Sequence, residues 1–282
     1  MKQKILSSLS LVSVCLFCWA LPVKAETVLE KVERTGVLSV AIREDAAPFG
    51  YLDDNKNLQG YCLDFFALLE KQLVEKLERN SLSLKLLKST AKNRFSLVEN
   101  NIVNLECGPN TIRDNIPDRA AFSTTFFVTG TQFLVNKKNR DRLDLSSKLQ
   151  DIKVGAIGNT TTAEFIIDTY PLATIQRYSG VTARNRGVQA VNQGKIDAMV
   201  SEGILLRAEA QRQGLSATEY PLIPETPLTC DRYGMIINGK DPQWLDFVDS
   251  VIQSSETVKL SRAWFGQLFN YNVANSAICN QK

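Results

Sequence analysis

The chain has 282 residues with 33 basic and 30 acidic side chains, a formal net charge of only +3, and no histidine. So small a charge gives no electrostatic support for binding nucleic acid or an anionic membrane surface. The lack of histidine excludes the common Ser/His and Cys/His nucleophile arrangements and the usual zinc sites.

The first 25 residues are predicted to be a secretory signal peptide. Lys2 and Lys4 precede an apolar run at 5–21, and cleavage is expected after Ala25. The run is shorter than the roughly 20 apolar residues of a membrane span and is interrupted by serines, which disfavours an anchor. A lipid-modified cysteine is the minor alternative. We therefore expect a periplasmic mature chain, with zero net charge because the segment carries three lysines and no acid.

Short apolar strands alternate with helical patterns along the rest of the chain, which is typical of an α/β protein with largely parallel sheets. In chain order, the predicted elements are strands at 37–42, 82–86 and 102–106 with a helix at 63–78, then strands at 152–157 and 196–200 with helices at 163–170, 188–193 and 244–252. The strand–helix order therefore occurs twice.

Four cysteines follow the signal segment: Cys62, Cys107, Cys230 and Cys279. In an exported chain, four cysteines favour two disulfides over a reactive thiol. Three pairings are possible, and we favour Cys62 with Cys107 and Cys230 with Cys279. The spacings are too wide and irregular for a metal-binding ribbon.

Three motifs stand in order near the start: a strand ending at Arg43, the Ala-Pro-Phe-Gly-Tyr turn at 47–51, and Gly-Tyr-Cys-Leu-Asp at 60–64 before a helix. Further motifs follow at 108–112, 122–123, 154–164 and 194–198. Their order and spacing resemble the family 3 solute-binding proteins, the amino-acid receptors of ABC importers. Motifs at 89–94, 106–108, 120–123 and 128–131 are most similar to the glutamate/aspartate-binding branch.

The resemblance implies a type II periplasmic binding protein fold. Two α/β lobes, each a mixed sheet flanked by helices, would close around one ligand by a hinge of two crossing strands. The first lobe would be discontinuous, with residues 26–128 and 232–282, and the second would hold residues 129–231. The ligand would lie in the cleft between the lobes.

A zwitterionic ligand needs a cation and oriented donors for its carboxylate, and an anion for its ammonium group. The resemblance implies that Glu202 binds the ammonium; a solvated residue at a helix start is the alternative. Thr161 and Thr162 stand at a predicted helix start, where amides and hydroxyls can hold a carboxylate or simply cap the helix. Thr111 would offer a hydroxyl from the opposite lobe.

Two arginines would set specificity, because the acidic amino-acid branch has arginines at the positions of Arg43 and Arg94 and a guanidinium suits bidentate carboxylate binding. A surface position is the alternative for either. Phe49 or Tyr51 would stack along the aliphatic part of the ligand, although Phe49 could equally pack in the core.

One position departs from the family. The arginine that usually binds the α-carboxylate is replaced by Ile116, so Arg113 or Arg94 would take over that task. Ala91 also stands where the acidic branch tends to have a polar residue. Arg184 or Asn185 could add contacts from the second lobe.

The sequence therefore predicts a monomeric substrate-binding component of an amino-acid ABC importer. Its ligand would be an acidic or polar neutral L-amino acid, its partners the membrane permease subunits, and it would need no cofactor or metal. One alternative is a dehydratase of cyclohexadienyl compounds, which would need an acid such as Glu202 or Glu106. The other is a sensory receptor module.

Overall fold

The computed structural model describes residues 26–266 and Cys279. The predicted signal peptide lies outside this described part. Across the described residues, every helix is too short or too polar to span a lipid bilayer.

Helices and strands alternate along the chain, as predicted for an α/β protein. The helices are α1 (Val28–Thr35), α2 (Tyr61–Lys76), α3 (Arg94–Glu99), α4 (Thr161–Thr169), α5 (Ala183–Asn192), α6 (Gly203–Arg212), α7 (Pro242–Ile252) and α8 (Ser255–Phe265), with a 3-10 helix at Lys137–Arg142. The strands are β1 (Val37–Arg43), β2 (Asp45–Ala46), β3 (Gly50–Leu52), β4 (Leu58–Gln59), β5 (Ser83–Ser89), β6 (Leu105–Cys107), β7 (Ala120–Phe122), β8 (Phe127–Thr129), β9 (Thr131–Val135), β10 (Lys153–Ile157), β11 (Thr174–Tyr178), β12 (Ala198–Glu202), β13 (Leu222–Ile223), β14 (Asp231–Tyr233) and β15 (Ile236–Asn238).

The first lobe is built on a five-stranded sheet with the order β5-β1-β6-β15-β7. Strand β1 pairs in parallel with β5 and β6, and β15 enters antiparallel between β6 and β7. Helix α7 packs Trp244 fully into the core, where its indole Nε1 donates to the carbonyl of Asn104 at 2.8 Å. A strand from near the end of the chain therefore completes a sheet begun near its start.

The second lobe is built on a sheet with the order β11-β10-β12-β9-β13. Strands β11, β10 and β12 are parallel, and β9 pairs antiparallel with β12 and β13. Successive side chains of a strand point to opposite faces, so Phe133 and Leu134 of β9 enter two separate apolar clusters. Both faces of this sheet are covered, which explains the nearly continuous apolar sequence of its central strands.

Strands β8 and β14 form an antiparallel pair where the chain passes between the lobes, with Phe127 opposite Tyr233 and Thr129 opposite Asp231. The chain crosses once in each direction, so the first lobe is made from two separate segments. The predicted lobe boundaries, after residues 128 and 231, fall in these two strands and stay predictions.

The favoured cysteine pairing is confirmed for both bridges. Cys62, on the first turn of α2, bonds to Cys107 at the end of β6, with their Cα atoms 5.7 Å apart. Cys230, immediately before β14, bonds to Cys279, with a Cα separation of 5.3 Å. One bridge therefore fixes a helix to the sheet of the first lobe, and the other fixes Cys279 beside a crossing strand.

Candidate ligand-binding site

The carboxyl ends of β1, β6 and β12 meet the N-terminus of α4 around a small cavity between the lobes. In open α/β sheets this edge is where ligands bind. The cavity has a volume of about 300 Å³, counting its opening to solvent. Its lining comprises Arg43, Arg94, Pro109, Thr111, Thr160, Thr161, Arg184, Glu202 and Leu205. Five of the nine predicted site residues, from both lobes, are therefore brought together here.

Arg43, the last residue of β1, is held by a protein carboxylate. Its Nε lies 2.7 Å from Oδ1 of Asp45 and its Nη2 lies 2.8 Å from Oδ2, and both side chains are less than 10 % exposed. Burial alone would lower the pKa of Arg43, but the charge of Asp45 outweighs it and the pKa is raised. Burial likewise opposes ionisation of Asp45, yet Arg43 holds the pKa of that carboxyl below its usual value. One bidentate edge of Arg43 is thus occupied.

Glu106 on β6 anchors a buried hydrogen-bond network in the first lobe. Its Oε1 accepts from the hydroxyl of Ser89 at 2.7 Å, and its Oε2 accepts from Nδ2 of Asn110 at 2.6 Å. All three side chains are almost completely buried. The carboxylate is therefore satisfied by neutral donors, which fixes the loop after β6 in place.

Arg94, at the start of α3, is a buried cation without a contacting carboxylate. Its Nη1 donates to Oδ1 of Asn110 at 2.9 Å and to the carbonyl of Pro109 at 3.2 Å, while its buried Nε has no partner. Among residues 26–266 it forms no ion pair. Burial, together with the nearby charge of Arg43, lowers the pKa of Arg94 to about 10. An anion placed in the cavity would relieve both effects.

Glu202 faces Arg94 from the second lobe. It is the last residue of β12 and the N-cap of α6, and at 5 % exposure it is not a solvated helix-terminal residue. Its Oε2 accepts from the hydroxyl of Ser201 at 2.7 Å. Arg184 lies 3.4 Å from the same hydroxyl and donates from Nη1 to the carbonyl of Asp45 at 2.6 Å. The cavity therefore has a buried cation on one wall and a buried anion on the other.

The start of α4 presents threonines to the cavity. Thr160 is the N-cap, and its hydroxyl accepts from the amide of Ala163 at 3.1 Å, so capping falls to Thr160 rather than to Thr161 or Thr162. The first amides of a helix have no intrahelical acceptor. Thr161 lies hydroxyl to hydroxyl 3.4 Å from Thr111 of the other lobe, and the buried Thr162 hydroxyl has no partner. This helix start can donate to an anion.

Phe49 and Tyr51, predicted to stack along the ligand, are not among the residues that line the cavity. The amide of Cys62 donates to the carbonyl of Phe49 at 2.9 Å, which holds the Pro-Phe turn against α2. The Phe49 side chain is fully buried. Its ring centroid lies 5.2–6.5 Å from those of Tyr61, Phe126, Phe127, Tyr233 and Phe265. Tyr51 lies outside the cavity, with its ring 4.7 Å from the guanidinium of Arg212.

Arg113 also lies outside the cavity lining. Its Nη1 donates to the carbonyl of Thr111 at 3.3 Å, and its guanidinium lies 5.1 Å from the ring of Phe95. Ile116 packs against an apolar cluster of the first lobe that includes Val98. Of the two arginines predicted to replace the missing one, only Arg94 reaches the cavity.

Sequence reasoning missed Asp45, Asn110 and Thr160 as contributors to the site. The sequence does not distinguish Asp45 from its acidic neighbour Glu44, which pairs instead with the exposed Lys88 at 3.0 Å. Both acids are largely buried, and the backbone geometry at the start of β2 decides that Asp45 rather than Glu44 pairs with Arg43. Thr160 could have been found, because it begins a run of three threonines before the helix.

The lobes also touch outside the cavity. Arg212, at the end of α6, donates from Nη2 to the carbonyl of Leu52 at 2.6 Å and stacks on Tyr51. Together with the bond from Arg184 to the carbonyl of Asp45, these contacts hold the described lobes in a closed arrangement.

The chain is similar in sequence to two known amino-acid-binding proteins. The chain is 28% identical over 247 residues to the glutamate/aspartate import solute-binding protein of Escherichia coli (strain K12), covering 87% of this chain and 80% of that one. It is 24% identical over 248 residues to the L-glutamate/L-aspartate-binding protein of Pseudomonas aeruginosa, covering 85% and 80%.

Among solved structures, the ancestral amino acid-binding protein AncCDT-1, a precursor of cyclohexadienyl dehydratase, matches with a TM-score of 0.70 and 22% identity over 85% of this chain and 99% of that one. This likeness confirms the predicted fold of two α/β lobes. The family described as bacterial extracellular solute-binding proteins, family 3, matches residues 38–267. The chain therefore belongs to the family 3 bacterial extracellular solute-binding proteins, as its motifs predicted.

Proposed function

We propose that this protein captures an acidic or polar neutral L-amino acid between its lobes and delivers it to the permease subunits of an ABC importer. The observation that carries the proposal is the pairing of two buried, opposite charges across the cavity, Arg94 from the first lobe and Glu202 from the second. A zwitterion supplies the matching carboxylate and ammonium. The names of the relatives from Escherichia coli and Pseudomonas aeruginosa support an amino acid as the ligand.

In this proposal the α-carboxylate lies against Arg94, the hydroxyl of Thr111 and the start of α4 at Thr161 and Thr162. The ammonium group lies against Glu202. Binding shifts an open ensemble toward the closed arrangement, because contacts from both lobes exist only when the lobes meet. No bond of the ligand is made or broken, and the protein acts as a monomer in the periplasm after removal of residues 1–25.

The proposal is tested by calorimetric titration of ligand-stripped protein with glutamate, aspartate, glutamine, asparagine and arginine. Saturable one-to-one binding of an acidic or polar neutral amino acid is expected, with a smaller radius of gyration by X-ray scattering in the bound protein. Folded protein that binds none of these ligands would contradict the proposal.

A further inference from the structure

The ionisable side chains around the cavity are balanced in sign. Three arginines (Arg43, Arg94 and Arg184) stand beside three carboxylates (Asp45, Glu106 and Glu202), all of them largely buried. At the rim, the half-buried Arg113 interacts with a further acid, Glu164. Counted together, the six buried groups carry no surplus positive charge with which to receive a ligand that is itself a net anion.

Asp45 is the residue that produces this balance. It takes the Nε and Nη2 edge of Arg43 in a bidentate ion pair, so that edge is closed to a ligand carboxylate. It is also held from the other lobe, because its backbone carbonyl accepts from Nη1 of Arg184 at 2.6 Å. In the closed arrangement, the carboxylate of Asp45 is therefore held by Arg43 and its backbone by Arg184 of the other lobe.

Two charged groups that face each other across the cavity, Arg94 and Glu202, match the two charges of a zwitterion. Arg94 has no contacting carboxylate and is free to bind the α-carboxylate, while Glu202 is free to bind the ammonium group. Arg184 is already engaged by the carbonyl of Asp45 and the hydroxyl of Ser201. A second ligand carboxylate would have to compete with Asp45 for Arg43, or with the carbonyl of Asp45 and the hydroxyl of Ser201 for Arg184, which is costly in a buried site.

We infer that Asp45 is a specificity-determining residue that makes the site select a polar amino acid with an uncharged side chain over glutamate and aspartate. This inference rests on the proposed function and narrows its ligand class. Glutamine and asparagine are the probes that represent the favoured class, since they match glutamate and aspartate in shape but lack the second charge.

The test compares ligand preference in wild type, Asp45→Asn and the double variant Arg43→Gln/Asp45→Asn. The single change keeps the side-chain shape and leaves Arg43 as an uncompensated cation, whereas the double change removes both charges together. Glu44→Gln is the matched control, because this neighbouring acid pairs with the exposed Lys88 rather than with an arginine of the cavity. Each protein is titrated at one pH and ionic strength with glutamine, asparagine, glutamate, aspartate and arginine.

We expect wild type and Glu44→Gln to bind glutamine or asparagine at least about tenfold more tightly than the acidic counterpart. In Asp45→Asn this ratio should move toward the acidic ligand by at least about tenfold, and in the double variant the neutral preference should return. These shifts correspond to at least one unit in the logarithm of the affinity ratio.

Several outcomes would overturn the inference. Tighter wild-type binding of glutamate or aspartate than of glutamine and asparagine would do so while leaving the proposed function standing, whereas tightest binding of arginine would contradict both. The inference would also fail if folded Asp45→Asn kept the wild-type ratio of neutral to acidic ligand affinities. Circular dichroism shows whether Asp45→Asn folds. If it does not, the inference is judged from the ligand preferences of wild type and of the double variant. A double variant that prefers glutamate to glutamine would then refute the role of Asp45. Absence of binding by every amino acid to wild type would instead remove the proposed function itself.

Discussion

The two walls of the cleft are built differently. On the first lobe, Arg43 and Glu106 already have strong protein partners, in Asp45 and in the amide of Asn110. On the second lobe, the start of α4 has amides without intrahelical acceptors, and the buried hydroxyl of Thr162 has no partner. Apart from Arg94, the first wall is therefore held by protein contacts, whereas the start of α4 on the second wall has donors that a ligand could satisfy.

The largest effect on ligand binding is expected when the negative charge of Glu202 on the second wall is removed. We expect Glu202→Gln to weaken amino-acid binding at least about thirty-fold, because truncating one partner of a buried charge pair costs about 2–5 kcal/mol. Titration calorimetry measures the loss. The control is Glu219→Gln, an exposed acid of the same lobe, which should bind as wild type does. Equal affinities in Glu202→Gln and wild type would remove the ammonium role of Glu202.

The contrast between the walls also predicts opposite effects on stability without ligand. Asn110→Ala should lower the free energy of unfolding by about 1–3 kcal/mol, since it leaves Arg94 and Glu106 each short of a buried hydrogen bond. Thr162→Val should leave it unchanged or slightly raise it, because the hydroxyl it removes is already unsatisfied. Urea unfolding measures both. Asn238→Ala, which breaks a surface amide contact of the first lobe, is the control. A larger loss of unfolding free energy in Thr162→Val than in Asn110→Ala would contradict the contrast between the two walls.

The ion pair of the first wall should give stability a defined pH dependence. Arg43 lowers the folded-state pKa of Asp45 below its unfolded value of about 3.9. The pair therefore stabilises fully above the unfolded pKa, and this stabilisation is lost as pH falls through the folded pKa. The stability difference between wild type and Asp45→Asn should stay constant from about pH 7 to 5 and shrink below about pH 4. A difference that instead shrinks toward neutral pH would contradict this assignment.

The smallest expected effect concerns the contact between lobes outside the cavity. Arg212→Ala should weaken ligand binding about two- to fivefold, because an exposed cation–π contact and a hydrogen bond are lost from the closed arrangement only. The matched control is Arg186→Ala, which removes an arginine that stacks on Tyr178 within the second lobe at 5.7 Å. Affinity should be unchanged in that control. Equal losses in both variants would show that Arg212 does not act between lobes.

Much of the fold was predictable because it depends on periodicity. The strand predicted at 37–42 is β1, the helix predicted at 63–78 begins and ends two residues earlier as α2, and the strand predicted at 152–157 is β10. Helix α5 begins five residues before its predicted start, at Ala183. Its first turn contains the buried, charged Arg184, which an apolar pattern cannot reveal.

The site was predictable where motifs at strand ends fix position, and unpredictable where side-chain direction decides. Arg94 and Glu202 were predicted from the family resemblance and Thr111 from its place after a strand, and the structure brings all three to one cavity. Phe49 could face either ligand or core, and only the packing of its turn against α2 places it in the core. Asp45 pairs with Arg43 only two residues away, but the sequence does not show which of the adjacent acids, Glu44 or Asp45, forms this pair.

The position of β15 has a consequence for biosynthesis. Strand β15 lies between β6 and β7 and pairs with both. Some 110 residues of the chain separate β7 from β15. As the chain emerges from a ribosome or a translocation channel, the first sheet cannot close until residues 236–238 have appeared. Until then its early strands carry open edges that pair readily with other chains. The second lobe, drawn from one continuous segment, can finish first.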